Sequence, residues 1–325
     1  MDVIGSDRFS MLLAERLGAR HIPIERRLFP DGEACPRLIG KPAGEVIVAE
    51  RMGLPLYPNR YLAELLLTLK NLRYMNVEDI SVVMPYFVYS RQDRSFRPGE
   101  PFSARHVLDM LHDCGTGRLF TVASHMERFK EQLTAPMPAY NIDGYSILGS
   151  SLQELDLREP LVMGPDMSVS MAASRVASML EAESLSLEKH RDHDTGELSV
   201  RQLNKCMDSR DIVIIDDIIS SGGTMLKAIE TAKRAGCGRI VVASVHAVQQ
   251  AGIDRLRKHA WKILSTDTVD TPVSEVSVIG TVADAISGRP GVDTSGMHSA
   301  AERGVSVPDT PAETEPAAGA FSMFD

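Results

Sequence analysis

A chain of 325 residues with 43% hydrophobic and 24% charged residues has the balance of a globular protein and is long enough for two separate cores. Its net charge of −9 excludes broad electrostatic attraction to nucleic acid or to an anionic membrane, so an anionic substrate requires a local basic patch or a metal ion. The four cysteines, Cys35, Cys114, Cys206 and Cys237, are far apart and form no C-x-x-C, which argues against zinc and fits a reducing, cytoplasmic setting.

Asp2 and Asp7 near the start do not suit a signal peptide, and no apolar run approaches the ~20 residues of a membrane helix. Apolar segments at 46–49, 80–85, 118–123, 161–164, 212–215, 240–245 and 276–279 read as strands. Amphipathic segments at 60–75, 103–113, 168–182, 224–235 and 249–258 read as helices. The alternation predicts parallel α/β sheets. A division near residue 145 gives each half enough strands for its own doubly wound sheet: residues 1–145, then 146–290. Residues 188–210 are charged and poor in apolar side chains, and are expected to form a mobile loop. Residues 291–325, rich in Ala, Pro, Ser, Thr, Glu and Gly, are expected to be a disordered tail.

Residues 211–224 carry the clearest chemistry. A β-branched run, Ile212 to Ile215, ends in Asp216 and Asp217. The short loop Ser220, Ser221, Gly222, Gly223 and Thr224 leads into a helix. Glycines allow close backbone approach, and the free N–H groups of a helix start favour phosphate. Carboxylates above such a cradle suit sugar hydroxyls or a metal. The pattern lacks the Lys of a Walker loop and is not G-x-G-x-x-G.

A second constellation occupies residues 85–103, between a strand and a helix, at the sheet edge where open α/β folds bind ligands. Arg91, Arg94 and Arg97 concentrate positive charge there, and planar guanidinium groups match polyphosphate oxygens.

Residues 211–224 resemble the phosphoribosyl-diphosphate motif of type I phosphoribosyltransferases and of ribose-phosphate diphosphokinases. Arg91-Gln92-Asp93, Phe96-Arg97-Pro98-Gly99-Glu100 and Phe29-Pro30-Asp31-Gly32-Glu33 resemble further signatures of the diphosphokinases. The resemblance extends from about residue 4 to about residue 289. It implies two doubly wound parallel-sheet domains of the type I phosphoribosyltransferase-like fold. It also implies Mg²⁺-dependent transfer of the diphosphoryl group of ATP to the C1 hydroxyl of ribose 5-phosphate, in a homo-oligomer of at least two subunits.

Residue by residue, the resemblance assigns Phe29, Asp31 and Glu33 to an adenine pocket shared between subunits, and Arg91, Gln92 and Asp93 to ATP. Asp216 and Asp217 with Ser220 to Thr224 hold ribose 5-phosphate. His125 and Asp166 ligate the metal, and Lys189 and Arg191 belong to a closing catalytic loop. The chain departs from the family at three places. Ser220 and Ser221 replace an Asp and a Thr, as in archaeal-type members. Ala123 replaces the Asp of the Val-Asp-Leu-His motif, and Met167-Ser168-Val169-Ser170 replaces a Lys or Gly-Gly continuation. Two other readings stay open: a catalytically weak regulatory homologue that binds nucleotide, and a phosphoribosyltransferase.

Overall fold

The computed structural model describes residues 1–125, 135–187 and 209–289, together with the backbone of three short strands at Lys189–Arg191, Leu198–Val200 and Thr294–Met297. The first half contains β1 (Asp2–Gly5), α1 (Arg8–Leu17), β2 (Arg20–Leu28), β3 (Ala34–Leu38), β4 (Val46–Ala49), β5 (Met52–Gly53), α2 (Pro58–Tyr74), β6 (Ile80–Val83), α3 (Ser103–Asp113), β7 (Arg118–Val122) and β8 (Ala139–Ile142). Helix α4 (Gly144–Gln153) leads to the second half. That half contains β9 (Leu161–Gly164), α5 (Ser170–Met179), β10 (Glu183–Ser186), β11 (Lys189–Arg191), β12 (Leu198–Val200), β13 (Ile212–Ile219), α6 (Gly223–Arg234), β14 (Ile240–Ala247) and α7 (Gln250–Arg257). It closes with β15 (Lys262–Thr266), β16 (Val269–Asp270), β17 (Ser274–Val276), α8 (Ile279–Ile286) and β18 (Thr294–Met297).

Two sheets result. The first has the order β18-β8-β7-β6-β4-β1-β2-β3, parallel except at its two edges. The second, β10-β9-β13-β14-β15-β17, is parallel throughout. Strands buried on both faces explain the nearly continuous apolar runs of the sequence. In β4, Val46 and Val48 face one core cluster, while Ile47 and Ala49 face another. In β13, Ile212 and Ile214 face a third cluster, while Val213 and Ile215 join Ile47 in the middle one. The middle cluster includes Phe9 and Leu13 of α1, Leu148 of α4, Val176 of α5 and Val282 of α8. One apolar layer is therefore shared by both sheets, and it fixes the two halves against each other.

Polar links reinforce this joint. Strand β5 pairs with β16 of the other half. Arg51 donates to Asp7, the N-cap of α1, and to the carbonyl of Asp267 at 3.0 Å.

Several sequence expectations are adjusted. The strand expected at 212–215 continues to Ile219, carrying Asp216 and Asp217 within it. The strand expected at 276–279 is the end of β17 and the start of α8, where Asp267 Oδ1 accepts the Val278 N–H at 2.8 Å and turns the chain. Within 188–210, expected as a mobile loop, β11 and β12 form an antiparallel pair; 188, 192–197 and 201–208 lie outside the described residues. Within the expected tail, Thr294–Met297 adds an antiparallel edge strand to β8, and the rest lies outside the described residues.

The first domain also buries charge. Glu50, after β4, pairs with Arg26 of β2, which also reaches Glu64 of α2 at 3.3 Å. Burial pushes Glu50 from 4.5 up to about 7, opposed by Arg26 and Ser6 and reinforced by Asp7. The folded chain thus holds a proton that the unfolded chain releases. The stabilisation is complete below pH 4.5 and is lost as pH rises through 7. Its upper bound is roughly 3 kcal/mol. Thermal midpoints of the unaltered chain should fall between pH 6 and pH 8, and Glu50→Gln should flatten that slope. Equal slopes for the two proteins would remove Glu50 as its source.

Candidate active site

Strand β9 pairs with β13 only through Ile214, so the following part of β13 has one open side. Asp216 and Asp217 occur there, at the position where the strand order reverses between β9 and β13. Ligands of open α/β sheets bind at such switch points. After β13, Gly222 adopts a left-handed φ of 74° as the N-cap of α6. The first N–H groups of α6 lack partners within the helix. A cavity of about 200 Å³ brings Asp216, Asp217, Ser220, Ser221, Gly222, Gly223 and Thr224 together with Arg91, His125 and Asp166.

The 220–224 loop rests on α7. A Cβ on Gly252 would lie 1.8 Å from the Ser220 carbonyl oxygen. Gly252→Ala must therefore displace Ser220. Because misplacement by about 1 Å costs on the order of a hundredfold, the KM for ribose 5-phosphate should rise at least about tenfold. An unchanged KM would show that this close approach does not shape the loop.

His125 reaches this site from the first domain. Its Nδ1–H donates to Asp217 Oδ2 at 2.8 Å. The turn before it is held by Asn141, whose Oδ1 accepts the Ser124 N–H at 2.8 Å. Ala123, with a φ of 38°, carries no carboxylate to orient the ring. Asp217 supplies one across the domain boundary. Asp166 caps the short 3-10 turn Met167–Val169, its Oδ1 accepting the Ser168 N–H at 2.9 Å. Ser168 also lines the cavity.

The electrostatics favour a cation. Burial, then the neighbouring Asp217, raise Asp216 well above the ordinary carboxylate range. No cluster of three His, Cys, Asp or Glu side chains forms a ready cation cage among the described residues. An imidazole and hard carboxylate oxygens beside a phosphate cradle nevertheless fit Mg²⁺, which commonly takes one or two carboxylates and completes its shell with water and substrate phosphates.

A second cavity, of about 710 Å³, adjoins the first through Arg91 and Ser220, which line both. Its walls include Leu54, Leu56, Tyr86, Val88 and Tyr89, with Gln249 and Gln250 on the other side. Tyr86, Val88 and Tyr89 belong to the 85–103 segment that the sequence singled out, whereas Leu54, Leu56, Gln249 and Gln250 carry no motif and were missed. Gln92 does not line either cavity; its N–H donates to the Tyr89 carbonyl and its carbonyl accepts the Ala104 N–H. Asp93 is buried beneath the loop, with Oδ2 unpartnered. Glu100 closes the loop by accepting the N–H groups of Phe96 and Arg97.

Phe29, Asp31 and Glu33 form the exposed tip of the β2–β3 hairpin and line neither cavity. The Phe29 N–H donates to the Glu33 carbonyl at 2.8 Å, and Arg27 lies over the Phe29 ring. Lys189 and Arg191 lie on β11, and their side chains fall outside the described residues.

Two mostly parallel sheets share one core layer, with two acids and a glycine-hydroxyl loop at a strand-order reversal, in an α/β protein. Residues 4–115 match the model of the N-terminal domain of ribose phosphate pyrophosphokinase, and residues 138–278 match that of the phosphoribosyl transferase domain. The chain is 35% identical over 283 residues to a ribose-phosphate pyrophosphokinase of Methanopyrus kandleri, covering 86% of this chain and 95% of the relative. It is 31% identical over 282 residues to one of Sulfolobus acidocaldarius, covering 84% and 92%. In fold it is similar to phosphoribosylpyrophosphate synthetase from Mycobacterium smegmatis, with a TM-score of 0.76 at 23% identity over 88% of this chain and 98% of that one. The chain belongs to the ribose-phosphate pyrophosphokinase family.

Proposed function

We propose that this chain transfers the diphosphoryl group of ATP to the C1 hydroxyl of ribose 5-phosphate, giving 5-phosphoribosyl 1-diphosphate and AMP. The observation that carries the reading is the meeting of His125 and Arg91 from one domain with Asp216, Asp217 and the 220–224 loop from the other, in a single cavity. Neither domain alone offers this set.

In the reaction, the C1 oxygen forms a bond to the β-phosphorus. The bond from that phosphorus to the oxygen bridging the α-phosphate breaks. AMP leaves with the electron pair, and the hydroxyl proton is released. The demands are alignment and charge screening. The 220–224 loop holds the 5-phosphate through backbone N–H groups and hydroxyls. Asp216 and Asp217 accept from the ribose hydroxyls, directly or through a metal, and so aim C1. Arg91 stands where the two cavities meet and guides the polyphosphate between them. The larger cavity has the volume of a nucleotide site. His125 Nε2 and Asp166 are the groups that would hold Mg²⁺, which screens the phosphate charge when bound.

Asp93 is buried beside Arg91 and Gln92 in the chain and lines neither cavity, so the nearer candidate for ATP is Arg91. Phe29, Asp31 and Glu33 are exposed and line neither cavity, which suits an adenine pocket completed by a neighbouring copy and hence at least a dimer. No described helix is long and apolar enough to cross a membrane, and Cys35, Cys114 and Cys237 are free thiols; both fit a cytoplasmic enzyme. The test is AMP release with ATP, Mg²⁺ and ribose 5-phosphate, each omitted in turn. AMP should form only when all three are present. No AMP from folded protein that still binds nucleotide would favour a regulatory homologue.

A further inference from the structure

Asn141 lies on β8 and is 2% exposed, in a sheet whose strands otherwise bury apolar side chains on both faces. On the same strand, Ala139 joins the first core cluster and Ile142 the middle one. An amide at such a position carries a cost. Its Nδ2 is buried with no hydrogen-bond partner among the described residues, and an aliphatic side chain would leave no such orphan. What the amide supplies instead is its oxygen.

The strand register shows what that oxygen does. β7 and β8 run parallel, with Thr121 opposite Asn141 and Val122 opposite Ile142. The Ala123 N–H extends the ladder by donating to the Ile142 carbonyl at 2.8 Å. There the chain leaves the sheet, as Ala123 takes a left-handed φ of 38°. The next N–H, that of the buried Ser124, has passed the end of the ladder. Asn141 Oδ1 accepts it at 2.8 Å. His125 follows directly, with Nδ1 2.8 Å from Asp217 Oδ2.

The residues just after Asn141 are fixed to the second domain. A Cβ on Gly144 would lie 3.0 Å from Val122 Cγ1 and 2.7 Å from Val245 Cγ1, so α4 begins pressed against both β7 and β14. Asp143, the N-cap of α4, accepts the Tyr145 N–H at 3.0 Å and pairs with Arg175 of α5. Segment 141–144 thus grips the turn before His125 at one end and the second domain at the other.

We infer that Asn141 is a positioning residue: its side-chain oxygen replaces the missing ladder partner of Ser124 and thereby aims His125 at Asp217. The 220–224 loop and the two acids of β13 belong to the second domain and keep their places without it.

This inference rests on the proposed reaction, and AMP release by the unaltered chain tests that reaction separately. Asn141→Leu removes the oxygen at similar bulk, Asn141→Asp keeps an oxygen acceptor, and His125→Ala removes the residue through which Asn141 acts. Each is assayed for kcat, both KM values and thermal midpoint. Mn²⁺ binding in the presence of α,β-methylene ATP, followed by water proton relaxation, supplies a readout independent of turnover.

Asn141→Leu should lower kcat by about thirtyfold, as expected for a displaced group in the site, and weaken Mn²⁺ binding. The KM for ribose 5-phosphate should stay within about threefold. Asn141→Asp should recover most of both losses while melting lower than the Leu variant, because it buries a carboxyl group where Leu buries none. Activity and stability would then move in opposite directions. Adding Asn141→Leu to His125→Ala should change kcat by less than about twofold, because the two act as one unit. If Asn141→Leu does not fold, Asn141→Ala takes its place in each comparison. Normal kcat and Mn²⁺ binding in Asn141→Leu, losses that follow the midpoint across the Leu and Asp variants, or full multiplication of the two losses in the double variant would each overturn the assignment. An unaltered chain that releases no AMP would overturn the proposed reaction, and Mn²⁺ binding by the same variants would then decide the role of Asn141.

Discussion

Asp217→Ala should lower kcat/KM for ribose 5-phosphate by roughly a hundred- to a thousandfold while leaving the fold intact. The carboxylate has two proposed tasks, accepting from the sugar and orienting His125, and hydrogen bonds to charged groups contribute about 1.5–3 kcal/mol each. The second task follows from the pairing with His125 at 2.8 Å. Stability should not fall with activity. Asp217 is only 8% exposed and stands beside Asp216, whose carboxyl is pushed toward its neutral form by burial and by this neighbour. Removing one of two crowded acids relieves repulsion, so the thermal midpoint should stay level or rise. Steady-state kinetics with ribose 5-phosphate as the varied substrate, alongside a melting curve, checks both halves. Unchanged kinetics would dismiss Asp217 from the site, and a collapse of the fold would make its role structural.

Lys189→Ala should lower kcat by about a hundred- to a thousandfold, with both KM values within about threefold, because a cation acting on charge that develops during transfer contributes chiefly in the transition state. The residue lies on β11, paired antiparallel with β12, in the insertion between β10 and β13. Insertions of this kind close over substrates and exclude water. Single-turnover measurement separates transfer from product release. A normal rate would take the β11–β12 segment out of the mechanism, whereas a raised KM for ATP with normal kcat would make Lys189 a binding group.

The sequence disclosed the buried parallel strands because burial on both faces leaves a nearly unbroken apolar run, as at Val46–Ala49 and Leu161–Gly164. It disclosed the 220–224 loop because its chemistry is contiguous in the chain. Edge elements were less legible. The β2–β3 hairpin alternates with charge, and β18 falls in a segment whose composition suggests no strand. Asp2 and Asp7 signalled only that the N-terminus is polar. In the fold, Asp2 pairs with Arg20 and accepts the Ala43 N–H, while Asp7 caps α1 and pairs with Arg51.

The cross-domain features were least legible. Nothing local in the sequence pairs His125 with Asp217, which are separated by 92 positions. Ala123 places no carboxylate beside His125, and the ring pairs with Asp217 of the other half instead.

The most direct test of the central claim follows the phosphorus of ATP. With ATP labelled at the γ-phosphate, Mg²⁺ and ribose 5-phosphate, the label should appear in 5-phosphoribosyl 1-diphosphate, with unlabelled AMP formed in equal amount. Label in orthophosphate or in a singly phosphorylated C1, with ADP as the other product, would show attack at the γ-phosphorus and contradict diphosphoryl transfer.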